Sequence, residues 1–258
     1  MENNLESKPV IQSRIEDYWQ HEADTYSAHI WEEMNSFKKE AWINLIDSNR
    51  PAGERLEVLD IGTGPGFFAM LLSGMGHKVT AVDCTDSMLT IAQRNAGKAG
   101  FIVEFHKLDS HDLSFVDNAF DLILCRNLTW TLRDPRAAYR EWKRVLKPGG
   151  RILIFDANWH MRLFDEEMDR KHKADQERAK ELGIADRHAH VDMDESDNIA
   201  RQLYLSGRWR PQWDAVALIE LGFGKIVIDT DITERVWDDK DKVSYRSTPM
   251  FMVAAEKR

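Results

Sequence analysis

The chain has 258 residues, 43% of them hydrophobic, and a formal net charge of −9 at pH 7. That suits one large α/β domain with an inserted lobe, and the acidic balance argues against a nucleic-acid partner, whose phosphates need clustered Lys and Arg. The sequence has no run of 18 apolar residues and no signal-peptide pattern, so a soluble cytoplasmic protein without a membrane partner is expected.

Residues 1 to 12 are polar and expected to fray. From Ser13 to about Asn49, apolar and aromatic residues recur at helical spacing, among them Ile15, Tyr18, Trp19, Tyr26, Ile30, Trp31, Trp42 and Leu45. This predicts two or three helices, and residues 1–50 read as a helical lid ahead of the main domain at 51–258. Trp31 and Trp42 read as core. Tyr26 has two readings, core packing or an aromatic closing over a ligand.

Pro51-Ala52-Gly53 marks a turn, and the apolar run from about Leu56 to Ile61 is a first strand. It leads into Asp60-Ile61-Gly62-Thr63-Gly64-Pro65-Gly66 and then a helix-like segment. Glycines tolerate positive φ and carry no Cβ, so backbone can approach a ligand closely. The turn falls at the carboxyl end of the first strand, where open α/β sheets bind nucleotides. The Gly-x-Gly-x-Gly spacing is neither the Gly-x-Gly-x-x-Gly of dinucleotide enzymes nor a phosphate loop, since no Gly-Lys-Ser/Thr follows.

Lys78 to Asp83 is a second strand ending in an acid about 20 residues past the turn, a position from which a carboxylate reaches both ribose hydroxyls. Capping of the next helix is the other reading of Asp83. A helix over about 86–99 leads to a third strand, Phe101 to His106, and a polar loop, Leu108 to Leu113. Phe120 to Cys125 is a fourth strand, followed by Arg126-Asn127-Leu128-Thr129-Trp130. Asp134-Pro135 starts a helix that stops at Lys147-Pro148-Gly149-Gly150, and Arg151 to Asp156 is a fifth strand. Cys84 and Cys125 form neither a metal spacing nor a disulfide framework, and both read as buried thiols near strand ends.

These motifs, in this order over about residues 55 to 156, resemble those of class I S-adenosylmethionine-dependent methyltransferases. The resemblance rests on Val58 to Gly66, Asp83, Leu108 to Leu113, Phe120 to Asn127, and Arg144 to Gly150. It implies S-adenosylmethionine as cofactor and a Rossmann-like α/β fold. That fold has a seven-stranded sheet of order 3-2-1-4-5-7-6, the last strand antiparallel, with helices on both faces. It implies that Asp60 orders the glycine loop and faces the amino group, Asp83 holds the ribose and Asp109 the adenine amino group. Gly62, Thr63, Gly64, Gly66, Cys84, Met88, Ser110, Arg126, Asn127 and the lid residue Tyr26 complete the implied cofactor contacts. Ser110 departs from the family pattern, where alanine is more usual. A dehydrogenase is the runner-up within this sheet class.

Residues from about 157 to 210 exceed a normal connection and read as a helical cap, with one long helix from Met161 to Leu182. His188 and His190 lie among several acids; a solvated acidic loop is preferred there, and no metal site is expected. A helix from Pro211 to Leu221, a sixth strand at Lys225 to Asp229 and a last one at Met250 to Ala255 close the chain.

Methyl transfer from a sulfonium chiefly needs alignment, so a general base is optional. His160 and His111 are the candidate catalytic groups, with Asp156 a third by position. Trp130 and Trp159 follow strand ends, so with His160 and Trp209 they read as a substrate wall suited to a flat or cationic small molecule. A monomer or homodimer acting on a small molecule is expected. The alternatives are a methyltransferase for protein or RNA and a non-catalytic cofactor-binding module.

Overall fold

A computed structural model describes residues 6–186 and 192–258. Two helices precede the sheet, α1 (Lys8–Met34) and α2 (Phe37–Asp47). Pro9 sits in the first turn of α1, so that helix begins inside the stretch expected to fray. Ser36 separates the two, its side chain accepting from the Lys38 N–H at the start of α2.

The alternating part follows as β1 (Glu57–Ile61), α3 (Phe67–Gly74), β2 (Lys78–Asp83), α4 (Asp86–Ala99), β3 (Glu104–Lys107), β4 (Phe120–Arg126), α5 (Pro135–Val145) and β5 (Leu146–Asp156). Then come α6 (Glu166–Glu181), α7 (Met193–Gln202), α8 (Gln212–Glu220), β6 (Phe223–Asp229), α9 (Thr233–Val236), α10 (Asp239–Ser244) and β7 (Phe251–Lys257). The sheet order is β3-β2-β1-β4-β5-β7-β6, with β7 antiparallel to both neighbours. This is the topology that the resemblance implied.

Alternation along the strands sorts the core into two layers. Val58, Leu122, Leu124, Leu153 and Phe155 face one layer with α2 and α3, where Trp42 meets Phe68 and Phe155 edge-on at 5.2 and 5.0 Å. Leu59, Ile61, Ile123, Ile152 and Ile154 face the other, against Tyr139 and Trp142 of α5 and Leu218 of α8.

β3 begins at Glu104, three residues later than expected, and two further elements differ. Lys147-Pro148-Gly149-Gly150 is not a turn before β5 but part of it, where the β4–β5 register shifts between Phe120 and Leu122. A Cβ on Gly150 would lie 2.8 Å from the Asp121 carbonyl oxygen, so the extra residues pass only because that position is bare. The single long helix expected at Met161 to Leu182 is a short 3₁₀ turn, Met161–Leu163, followed by α6. Asp165 makes the break by accepting from the Glu167 and Met168 N–H groups as an N-cap. His188 and His190 lie outside the described residues. Among the described residues no helix is long and apolar enough to cross a membrane.

Candidate active site

The glycine turn is tied to β2 and opens to one side. Gly62 and Thr63 donate N–H bonds of 2.8 and 3.0 Å to the Val82 carbonyl, and Gly66 donates to Thr63 at 2.9 Å. Gly62, Gly64 and Gly66 have φ of 66°, 51° and 95°, which L side chains rarely adopt. A Cβ on Gly62 would press within 2.7 Å of Leu128, and one on Gly66 within 3.2 Å of Ala92, so these two also serve close packing. A Cβ on Gly64 would meet nothing within 4 Å. Gly64 is the bare face of the turn. Beneath it Asp60, 2% exposed, accepts from the Thr63 hydroxyl at 2.7 Å. Burial pushes the Asp60 carboxyl up to about 7, against the lowering influence of that hydroxyl and of Arg126.

Two further acids stand at the ends of β2 and β3. Asp83 supports the start of α4. Its Oδ1 accepts from the N–H and hydroxyl of Thr85, the N-cap of α4, both at 3.0 Å. Its Oδ2 accepts from the Gly64 N–H at 2.9 Å, and a carboxylate oxygen has room for a further donor on the side of the bare turn. Asp109 accepts from His111 Nδ1 at 2.7 Å and its N–H at 2.9 Å, and from Arg133. Burial alone would raise the Asp109 carboxyl; the His111 and Arg133 hydrogen bonds outweigh it and hold the group well below the usual carboxylate range. Arg133 also donates to Gln12 of α1, so one guanidinium links the acid after β3 to that helix. Arg133 was not singled out from sequence, and a lone Arg on a loop offers no signal there.

His111 is not available as a base. Its Nδ1 is bound to Asp109 and its Nε2 accepts from the Asp134 N–H at 3.2 Å, so both nitrogens are committed to loop structure. Ser110 uses its carbonyl to hold Trp142 Nε1 at 2.8 Å.

Helix α1 lies along α4. Trp19 and Ala23 pack on Met88 and Ile91, and Asn95 binds Ser27, Trp31 and the Pro65 carbonyl, joining α1 to the glycine turn. Met88 is thus covered by α1, and Trp31 carries a polar link besides its packing. Arg126 pairs with Glu33 of α1 at 2.9 Å and stacks on Phe67, 4.5 Å from its centroid. Tyr26 is half-buried with its ring 5.3 Å from Trp19, and burial pushes its phenol up. The half-buried Cys84 thiol is also raised by burial. Asn127 is exposed in the left-handed region, φ 55°, bonded by its N–H to the Phe155 carbonyl.

The ends of β4 and β5 carry the other half of the site. Asp156 is fully buried and accepts from five donors: Thr129 hydroxyl, Trp130 N–H, Ala157 N–H, Trp159 Nε1 and Arg210 Nη1. With its lone pairs so engaged, Asp156 is an anchor and not a base. Arg210 in turn binds Asp214 through Nε and Nη2, both at 2.8 Å, and Asp214 accepts from the Tyr139 hydroxyl at 2.5 Å. Trp130, anchored by Asp156, packs on His160 at 4.3 Å and on Trp19 at 6.4 Å. Trp159, also anchored there, meets Tyr245 at 5.8 Å and Trp237 at 6.4 Å. Trp209 is 51% exposed, and the structure does not bring it into these clusters. Trp237 and Tyr245 take part instead, from a segment between β6 and β7 that carried no motif.

A family profile described as a methyltransferase domain matches residues 59–154. The chain carries a class I S-adenosylmethionine-dependent methyltransferase domain. An uncharacterized methyltransferase of Bacillus subtilis, YcgJ, is 39% identical over 100 residues, covering 38% of this chain and 40% of that one. A ubiquinone biosynthesis O-methyltransferase of Pseudomonas syringae is 27% identical over 143 residues, 55% of this chain and 58% of that one. The alignments thus span about half of these relatives. A solved structure of Haemonchus contortus phosphoethanolamine N-methyltransferase 2 in complex with S-adenosyl-L-methionine superposes with a TM-score of 0.58 at 18% identity, over 84% of this chain and 52% of that one. At that identity it speaks for the fold.

The methyltransferase domain fits the cofactor of its family. The Gly64 face offers room for backbone approach, Asp83 retains an acceptor for a ribose hydroxyl, and Asp109 is an ionised acceptor at the next strand end. Asp60 beneath the turn adds a testable pH dependence. Its folded value of about 7 lies above the ordinary 3.8, so the folded chain takes up a proton there. The stabilising contribution of that proton is present below about pH 4 and is lost as pH rises through 7. A ligand ammonium favours the ionised form. Affinity for S-adenosylhomocysteine should therefore fall as pH drops below 7, by up to about tenfold per unit. Calorimetry at pH 5.5 to 8 checks this, and Asp60→Asn should flatten the slope.

Proposed function

We propose that the chain transfers the methyl group of S-adenosylmethionine to a small-molecule acceptor held beneath α1 and the 157–210 insertion. The observation that carries this reading is how the sheet edge is covered. Ile11 and Ile15 of α1, Ile199, Ala200 and Leu203 at α7, and Trp130 bury one another over the ends of β4 and β5. Arg14 of α1 is paired with Glu195 of α7 at 2.8 Å. A protein or RNA acceptor would need an open complementary surface there; a covered, aromatic-lined edge suits a molecule enclosed on most sides. When bound, the cofactor supplies an activated methyl on a sulfonium. The chain's own task is to orient the acceptor and exclude water.

Incubation with methyl-labelled S-adenosylmethionine and a cell extract, followed by separation by size, tests this. Label should collect in the small-molecule fraction. Label confined to protein or RNA would overturn the acceptor class, and cofactor binding without labelling of any fraction would overturn catalysis.

A further inference from the structure

We propose that His160 is the base that removes the acceptor's proton, that Asp197 of α7 positions it, and that the methyl-accepting group is a hydroxyl of the phenol or enol class. This deepens the reading above and rests on it.

His160 follows the end of β5, beside Trp130 from the end of β4, and is 7% exposed. Its Nδ1 has no hydrogen-bond partner among the described residues, yet lies 3.6 Å from Asp197 Oδ1. That is too long for a hydrogen bond but within reach of charge attraction, and such contacts tighten when a substrate fills the site. Asp197 is itself held by Arg162 at 2.5 Å. Burial would raise the Asp197 carboxyl, but His160 and Arg162 together bring it below its ordinary value, so it stays ionised. A carboxylate beside Nδ1 favours the proton on that nitrogen and leaves the lone pair on Nε2.

The other nearby groups are poorly placed for the task. Asp156 is saturated with donors, and both nitrogens of His111 are bound. The Tyr26 phenol is raised by burial and is a poor acid. Among the charged and titratable groups near the pair are Arg162 on its own turn, Tyr18 on α1 and His172 on α6.

A buried imidazole backed by a carboxylate matters most for an acceptor that is protonated and non-nucleophilic at neutral pH. A phenol, titrating near about 10, meets that description, whereas a thiol ionises more readily and a neutral amine already has a free pair. In the step, His160 Nε2 takes the hydroxyl proton and the oxygen pair forms the O–CH3 bond. The C–S bond breaks with its pair going to sulfur. The positive charge passes from the sulfonium to the imidazolium, which Asp197 stabilises and which later gives its proton to water. The products are a methyl ether and a neutral thioether.

The test uses the full chain, methyl-labelled S-adenosylmethionine and 3,4-dihydroxybenzoate as the hydroxyl probe, from pH 6 to 10. His160→Gln should slow transfer at pH 7 by roughly 10²–10⁴-fold. Its rate should rise about tenfold per pH unit and converge on wild type once the probe ionises unaided. Asp197→Asn should lower the acid limb of the profile, and nitrogen NMR should show wild-type His160 with its proton on Nδ1. S-adenosylhomocysteine affinity should stay within about twofold in both variants, which separates this from misfolding. A His160→Gln profile parallel to wild type overturns the proposal. So does label from the extract found on amine or sulfur while the probe stays unlabelled, although methyl transfer itself then stands. Absence of transfer to any molecule overturns the broader reading and this one with it.

Discussion

Arg210→Met should lower stability by about 3–5 kcal/mol, the cost of breaking a buried ion pair by removing one partner. The Arg210 side chain is 1% exposed, and its partners Asp156 and Asp214 are 0% exposed. Methionine fills much of the volume but leaves two carboxylates buried without their cation. The loss spreads, because Asp156 also holds Thr129, Trp130 and Trp159, and Asp214 holds Tyr139. For a domain of this size the melting temperature should fall by roughly 10 °C. Thermal unfolding followed by circular dichroism checks this. Adding Asp214→Asn should restore part of the loss by removing one of the stranded charges. A single variant that melts with the wild type would show that Arg210 does not anchor the base of the insertion.

Excision of the proposed cap should cut methyl transfer sharply while sparing the cofactor site. The cut must respect the base of the insertion, where Asn158 and Arg210 are joined by bonds of 2.9 and 3.1 Å from side chain to backbone. Replacing residues 165–204 by a short Gly-Ser loop keeps that staple, His160 and the Asp156 anchor. It removes α6 and α7, including Ile199 and Leu203 over Trp130, and Asp197. None of Gly62 to Gly66, Asp83 or Asp109 touches that segment through the bonds described above. Affinity for S-adenosylhomocysteine should therefore stay within a few-fold. Turnover should drop by about 10²-fold or more, since an acceptor no longer held loses its alignment. Full turnover in the excised chain would make the insertion something other than a cap.

The parts of the site legible in sequence are those set by local geometry. Three glycines at alternate positions after an apolar strand demanded a turn of positive φ, and all three have it. Asp134-Pro135 announced a helix start, and Asp134 caps it. The sheet order came through the family resemblance, because no periodicity within a strand says which strand lies beside it. The rest of the site is held by contacts far apart in the chain. Arg210 meets Asp156 across 54 positions, and Arg133 joins Asp109 and Gln12 across 24 and 121. Trp209 and Trp159 looked equivalent as tryptophans flanking the insertion. Only the fold separates them, since Trp159 Nε1 reaches Asp156 while Trp209 stands at the surface. The β5 entry differs from expectation because Pro148 and two glycines usually stop a strand, whereas here a register shift absorbs them.

The nucleoside is expected to lie between the bare face of Gly64 and the Asp83 carboxylate. Calorimetric titration of S-adenosylhomocysteine into the wild type and Asp83→Ala tests that most directly. Wild type should bind in the micromolar range, about −8 kcal/mol. Asp83→Ala should lose roughly 1.5–3 kcal/mol, about 10- to 150-fold, as the ribose forfeits a charged acceptor and the Gly64 N–H its partner. Equal affinity in the two proteins, or tighter binding of NAD than of S-adenosylhomocysteine, would contradict it.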